Sequence, residues 1–467
     1  MKTYAFSRRE LYAPGHFGNW YEVAGRFEMR DMLAEAKWWG FNCYSDWFDT
    51  VNLTKESRLS SVVSKCWLTK AFWENKKAHF EEAQKLGLKL DLLITPNHVY
   101  TDQVTQELLA RQKPGEPDRL FGHLLCPSKL KARKIILGNY DDLFKDLAKS
   151  KINLDSVTFA AYDFGGCACG KCDPWIVTFA KLSKEIHDIA LKYYPHVQLR
   201  FCGWWWSPED HNLFADWADK NIPGTIKGIA LWIKYNDDKP ANVPQARLPR
   251  GCKQDYFFHI GFSDDRSAND TYGRWGPMVA PNRIPRTLET LNNIRGEGFS
   301  AYSEGISDDV NKALLAGLSS GKFSTAQEVL EAYAERYFNA KGKFKREWAN
   351  WIYQWAEPRT VNLKKARLVF DRLASKAPDT WRLDHFASKM RLFELNKQLD
   401  RKGAWTAPRL AMAEAFLRER ENLRRKIYGL SLLDEPVFGA IVGQSRWYQE
   451  LMASAALSKK SRHSAEA

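Results

Sequence analysis

Leu154-Asp-Ser-Val157-Thr-Phe-Ala-Ala-Tyr162-Asp163-Phe-Gly165-Gly166-Cys167-Ala-Cys169-Gly-Lys-Cys172-Asp-Pro174-Trp175 is the stretch on which the fold turns. Val157 to Tyr162 is apolar and β-prone, without Gly or Pro, and reads as a buried strand. Asp163 then stands at the strand's C-terminal end. Gly165 and Gly166 turn the chain, three cysteines follow in C-x-C-x-x-C spacing, and Pro174 opens a helix. A carboxylate at a strand end, ahead of a loop and a helix, is how α/β barrels present catalytic groups. The plainer alternative is an Asp that caps a loop beside a structural cysteine knot.

The same strand-then-helix unit recurs on both sides. Upstream, a short strand followed by a loop is expected over 9–20 and strands over Phe41–Asp49 and Leu88–Tyr100, with helices at 26–39, about 59–86 and about 129–149. Downstream, strands are expected at Val197–Trp206, Lys227–Tyr235, Asp255–Asp265 and Gly298–Gly305. Eight alternations over about 340 residues predict a (β/α)8 TIM barrel. A doubly wound open sheet is the runner-up, but no G-x-G-x-x-G or Walker-type loop follows any strand. After Phe338 the strand pattern ceases and helical periodicity takes over. The expected organisation is α/β: a barrel over 1–340, an all-α C-terminal domain over 341–457, and a disordered tail over 458–467.

Composition narrows the class. The chain has 467 residues, 19 Trp and a formal charge of +14. From Lys341 onward there are 26 Lys and Arg against 14 Asp and Glu, so the excess charge lies almost wholly in the helical part. No nucleic-acid motif accompanies it, and a solvated helical face is the expected reading rather than a nucleic-acid surface. No apolar run reaches the roughly 18 residues a membrane span needs, so no membrane partner is expected. The N-terminus lacks an apolar signal core. The expected location is cytoplasmic, or that of an exported mature form whose signal was removed. The oligomeric state is not legible.

Polar residues gather at the strand ends: His16, Asp46, Asp49, Asn97, His98, Asp163, Lys234, His259, Asp264, Asp265 and Glu304. In a barrel these ends converge on one face, where active sites form. Aromatics gather there too, among them Trp47, Tyr100, Tyr162, Trp204, Trp205, Trp206, Trp232, Tyr235, Trp275 and Tyr302. Sugar rings stack their apolar C–H faces on such side chains, while carboxylates and amides bind the hydroxyls. Aromatic walls with acids therefore favour a carbohydrate ligand. Cys126, Cys167, Cys169 and Cys172 supply four candidate ligands for a structural zinc. One or two disulfides, or free thiols, are the alternatives.

The order Cys126-Pro-Ser, then Tyr162-Asp-Phe-Gly-Gly-Cys-x-Cys-x-x-Cys-x-Pro-Trp175, then Tyr302-Ser-Glu-Gly-Ile-Ser-Asp-Asp-Val-Asn-Lys312 resembles barrel glycoside hydrolases. The nearest groups are the α-glucuronidases, β-hexosaminidases and α-N-acetylglucosaminidases, which join such a barrel to a helical C-terminal domain. The chain departs from hexosaminidases in having Phe164 after Asp163 where they carry an acidic pair, which puts substrate-assisted chemistry in doubt. The resemblance implies an exo-acting glycosidase for a terminal uronic acid, N-acetylamino sugar or sialic acid, with no catalytic cofactor. Asp163 is the candidate acid and Glu304 the second carboxylate. Candidate sugar-binding residues are His16, Asp46, Asn97, His98, Trp205, Trp232, His259, Arg283 and Tyr302. Because strands four and eight oppose each other, inversion is the expected stereochemistry. A metal-dependent hydrolase using His16, His98, His259 and Asp163, and a non-catalytic carbohydrate-binding protein, remain the other readings.

Overall fold

A computed structural model describes residues 6–16, 19–48, 67–100, 103–112, 123–161, 166–233, 246–265, 275–294, 296–401, 403–428, 447, 450 and 451. Eight strands close a parallel barrel: Arg8–Tyr12 (β1), Cys43–Phe48 (β2), Lys89–Ile94 (β3), Ser156–Ala160 (β4), Gln198–Gly203 (β5), Ile226–Trp232 (β6), Lys253–His259 (β7) and Gly298–Tyr302 (β8). Each pairs with its neighbour in chain order, and β1 closes on β8 with Arg8 opposite Gly298 and Tyr12 opposite Tyr302. The expected barrel is thus the observed one. Between strands lie helices such as Arg26–Trp39, Leu130–Lys149, Trp175–Tyr193 and Pro208–Asn221. Ser207 caps the last of these, accepting from the Asp210 amide, and Pro208 sits in its first turn, where a missing N–H costs nothing.

The barrel interior is built in two layers. Strands that are not neighbours can touch only through the barrel's inside. Arg8 on β1 pairs with Glu10 and reaches Asp91 on β3 at 3.3 Å and the Ser156 hydroxyl on β4 at 3.3 Å. Asp91 also accepts from Ser45 at 3.0 Å, from Thr158 at 2.8 Å and from Ser156. Ser300 donates to Glu10 at 2.7 Å, and Arg200 pairs with Asp255. Barrels usually fill this space with branched aliphatics; here two arginines meet three acids. Burial holds Glu10 above its ordinary range, against the pull of Arg8. Burial also lowers Arg200 to about 10. One proton on Glu10 would leave two cations facing two anions. Nearer the strands' C-terminal ends the filling turns aromatic, with Tyr12, Phe257 and Tyr302 packed ring to ring at 5.5–6.1 Å.

Two glycines make room for this floor. A Cβ on Gly228 of β6 would lie 2.7 Å from the Arg200 Cζ and 2.9 Å from its Nη1. One on Gly298 of β8 would meet the Arg8 Cβ at 2.6 Å.

The chain divides into two compact units. The first comprises 1–260, 283–304 and 315–324, and contains the barrel strands. The second comprises 261–282, 305–314 and 325–467, and gathers the helices Ala326–Phe338, Lys343–Tyr353, Leu363–Ala374, Trp381–Leu399 and Ala407–Tyr428. Its core packs Trp275 with Leu392, Leu395, Leu399, Phe416 and Trp447. Asp309 anchors it through Arg382 at 2.6 and 3.1 Å and the Tyr333 hydroxyl at 2.7 Å. Residues 458–467 lie outside the described residues. Among the described residues no helix is long and apolar enough to cross a membrane.

Candidate active site

Glu304 stands two residues past β8, and its side chain is buried. Tyr302 donates its hydroxyl to Oε1, Asn19 donates Nδ2 to Oε2 at 3.4 Å, and His16 Nε2 lies 3.6 Å from Oε2. His16 Nε2 is also 3.1 Å from the Tyr302 hydroxyl. A proton on Nε2 would let His16 donate to the hydroxyl that itself donates to Glu304. His16, Tyr302 and Glu304 thus form one hydrogen-bonded chain.

Asn19 was not foreseen from the sequence. It caps the short helix Trp20–Val23 by accepting from the Glu22 amide at 3.1 Å, and its Nδ2 donates to the Pro14 carbonyl at 2.9 Å. One residue thus starts a helix, closes the turn that carries His16, and holds the carboxylate. An Asn just before a helical segment is the signal that was present in the chain.

Around Glu304 runs a belt of rings. Trp47 lies between His98 and His16, at centroid distances of 6.0 and 5.8 Å. His16 meets Tyr302 edge-on at 6.2 Å, and Tyr302 meets His259 at 4.3 Å. His259 touches Trp204 at 5.3 Å, Trp204 stacks on Trp232 at 6.1 Å and 18°, and Trp205 lies on Trp232 at 4.4 Å. Trp205 alone of these is widely exposed, at 55%, and it holds a left-handed φ of 64°. Non-glycine residues pay for such a backbone, and it clusters at binding sites. Burial, with the Arg283 charge second, holds His259 well below the ordinary imidazole value, so it stands neutral at pH 7. Arg283 opens the helix Arg283–Asn293 and is itself buried.

The structure therefore draws together His16, His98, Trp205, Trp232, His259, Tyr302 and Glu304, with Arg283 beside His259. Two other expected sugar-binding residues are committed inside the protein. Asp46 is fully buried and accepts from the Gly15 amide at 2.9 Å, the Trp47 amide at 2.7 Å and Lys76 Nζ at 2.8 Å. It fixes the turn that carries His16. Asn97 is buried and exchanges bonds with Leu125, its Nδ2 donating to the Leu125 carbonyl at 3.3 Å and its backbone carbonyl accepting from the Leu125 amide at 3.0 Å, while its Oδ1 has no partner among the described residues. Asp264 and Asp265 belong to the second unit, bound to the Asn282 amide at 3.0 Å and to Arg359 at 3.5 Å. Trp275 is core there, not pocket wall. Asp163, Tyr162, Asp49, Lys234 and Tyr235 lie outside the described residues.

The four cysteines converge. Cys126 follows His123–Leu124, a short strand paired antiparallel with His98–Val99 in the segment after β3. Cys167, Cys169 and Cys172 come from the segment after β4. Their four sulfurs all lie within 4.8 Å of one another. Cys126 Sγ is 3.7 Å from Cys169 Sγ and 3.8 Å from Cys172 Sγ. Gly166 precedes them with φ 130°, and a Cβ there would strike the Trp175 ring at 3.0–3.1 Å. Cys43 and Cys202 are buried apart from this group.

No family model matches the chain, and no curated protein matches it. Among solved structures it is similar to a GH138 enzyme targeting pectin rhamnogalacturonan II, at 11% identity over 91% of this chain and 62% of that one, with a TM-score of 0.48. It is similar to the catalytic domain of β-amylase from Paenibacillus polymyxa, at 10% identity over 67% and 96%, with a TM-score of 0.42. It is also similar to a GH20 catalytic module of the pneumococcal exo-β-D-N-acetylglucosaminidase StrH, at 11% identity over 79% and 98%, with a TM-score of 0.39. These likenesses are distant, and the barrel is established by its own strand pairing.

Proposed function

We propose that the chain is a glycoside hydrolase that removes a terminal sugar at the C-terminal mouth of the barrel. The observation that carries this reading is Glu304: a buried carboxylate, oriented by Tyr302, Asn19 and His16, inside a belt of Trp, Tyr and His rings. Rings of this kind bind the apolar faces of a pyranose, and a carboxylate among them can act on the anomeric centre or on a water beside it. Glu304 is assigned as the base and Asp163, three residues past β4 in the sequence, as the acid. In the closed ring β4 and β8 lie four strands apart, on opposite walls. Opposed walls favour the wider separation of roughly 6.5–9.5 Å that admits a water and inverts configuration. Arg283 and neutral His259 supply a cation and a hydrogen-bonding ring for an acidic or N-acetylamino substituent.

The test is a panel of aryl glycosides carrying uronic, N-acetylamino and sialic acid sugars. Turnover of one class is expected, with Glu304→Gln and Asp163→Asn each lowering kcat about 10²-fold or more. Loss at Asp163 should be milder for good leaving groups, and NMR of the first-formed product should show the inverted anomer. A panel bound but never cleaved would establish a carbohydrate-binding protein instead. Near-normal rates in Glu304→Gln would remove that residue from the mechanism.

A further inference from the structure

We infer that Cys126, Cys167, Cys169 and Cys172 form a structural zinc site that ties the segment after β3 to the segment after β4. The geometry is that of a coordination shell. A zinc at about 2.3 Å from each of four sulfurs sets the edge of their tetrahedron at about 3.8 Å. The Cys126 sulfur lies 3.7 Å from that of Cys169 and 3.8 Å from that of Cys172, and all four sulfurs fall within 4.8 Å. A disulfide needs its two sulfurs about 2.05 Å apart, and the Cys126 sulfur stands at 3.7 and 3.8 Å from those of Cys169 and Cys172.

The surroundings suit thiolates. The Arg111 amide donates to Cys167 Sγ at 3.3 Å, and the Ser128 hydroxyl lies 3.0 Å from Cys126 Sγ and 3.7 Å from Cys169 Sγ. Such outer-shell groups orient ligands and hold their charge. Cys172 donates its amide to the Cys169 carbonyl at 2.8 Å, making the tight turn that lets both sulfurs of a C-x-x-C face one ion. Ala168 donates to the Arg111 carbonyl at 2.8 Å, pinning the cysteine segment against the segment after β3. Cys126, Cys167 and Cys172 are buried, with Ala110, Leu124 and Trp175 packed on the group. Four protein sulfurs leave no position for water or substrate, so the site is structural and not catalytic. It stands independently of the glycosidase reading.

Binding releases up to four protons as the thiols become thiolates. Elemental analysis of the purified full chain should find about one zinc per chain, released by a mercurial that titrates the thiols. Cobalt exchanged for zinc should give the visible bands of a tetrahedral thiolate site, a readout that needs no variant. Cys169→Ser should lose most of the bound metal, while Cys252→Ser should keep it. Chains that hold iron in place of zinc, folded protein with no metal and freely titrating thiols, or disulfides among these four by mass spectrometry would each overturn the assignment.

Discussion

Replacing Arg200 by Met tests whether the charged floor of the barrel is held by pairing. Arg200 is buried, its guanidinium pairs with Asp255, and Gly228 supplies the space for it. Met keeps most of the aliphatic stem but leaves a buried carboxylate without its cation. Removing one partner of a buried pair costs about 3–5 kcal/mol. The barrel unit has about 290 residues, so its unfolding entropy is roughly 0.6 kcal/mol/K and the loss corresponds to about 5–8 °C in Tm. In urea the same loss changes the unfolding constant by two to more than three orders of magnitude. The second half of the test is Arg200→Met with Asp255→Leu. Apolar residues in place of a whole buried pair are often neutral or stabilising, so the double variant should recover most of the stability. Calorimetry and far-UV circular dichroism in urea on the full chain read both. A single variant within about 1 kcal/mol of the parent, or a double variant worse than the single, would refute the reasoning.

Gly228→Ala places a methyl against the Arg200 guanidinium and should cost about 1–3 kcal/mol, read by the same urea titration. Trp205→Gly should relieve its left-handed backbone and raise stability by about 1 kcal/mol while weakening glycoside binding measured by calorimetry; unchanged affinity would take Trp205 out of the site. His259 is held well below its ordinary value, and burial lowers His211 to about 4 and also lowers His79 and His187. These rings take up their protons at lower pH in the folded chain than in the unfolded chain, which takes them up below about pH 6.5. Stability should therefore fall as pH drops from 6.5 toward 4. Urea midpoints across that range check it, and His211→Asn should flatten the slope; midpoints that rise on acidification would contradict the assignment.

Much of the fold was legible because strands of a parallel barrel are buried on both sides and read as short apolar runs ending in polar residues. Phe41–Asp49 holds the strand Cys43–Phe48, and the helix at 26–39 stops at Gly40 as its sequence indicates. Glu304 and Tyr302, a polar and an aromatic residue at a strand end, meet in the structure through the Tyr302 hydroxyl. Asp46 looked similar on that criterion, yet it is held by the Gly15 and Trp47 amides and Lys76. A strand-end position says that a side chain faces the mouth; it does not say whether neighbouring amides have already claimed it.

By itself the sequence determined the alternation of strands and helices, the chain order of the barrel, and the cysteine spacing, because each depends on residues near one another in the chain. Only the tertiary structure decided what distant residues share. Arg8, Glu10, Asp91, Arg200 and Asp255 lie on four strands and read singly as charges interrupting them; closure of the ring turns them into one ionic floor. Cys126 became a neighbour of Cys169 and Cys172 only when the segments after β3 and β4 met. Asn19 reached Glu304 across 285 positions of the chain. Periodicity records which face of an element is buried, and pairing across a closed barrel is set by register and loop packing, which no local pattern encodes.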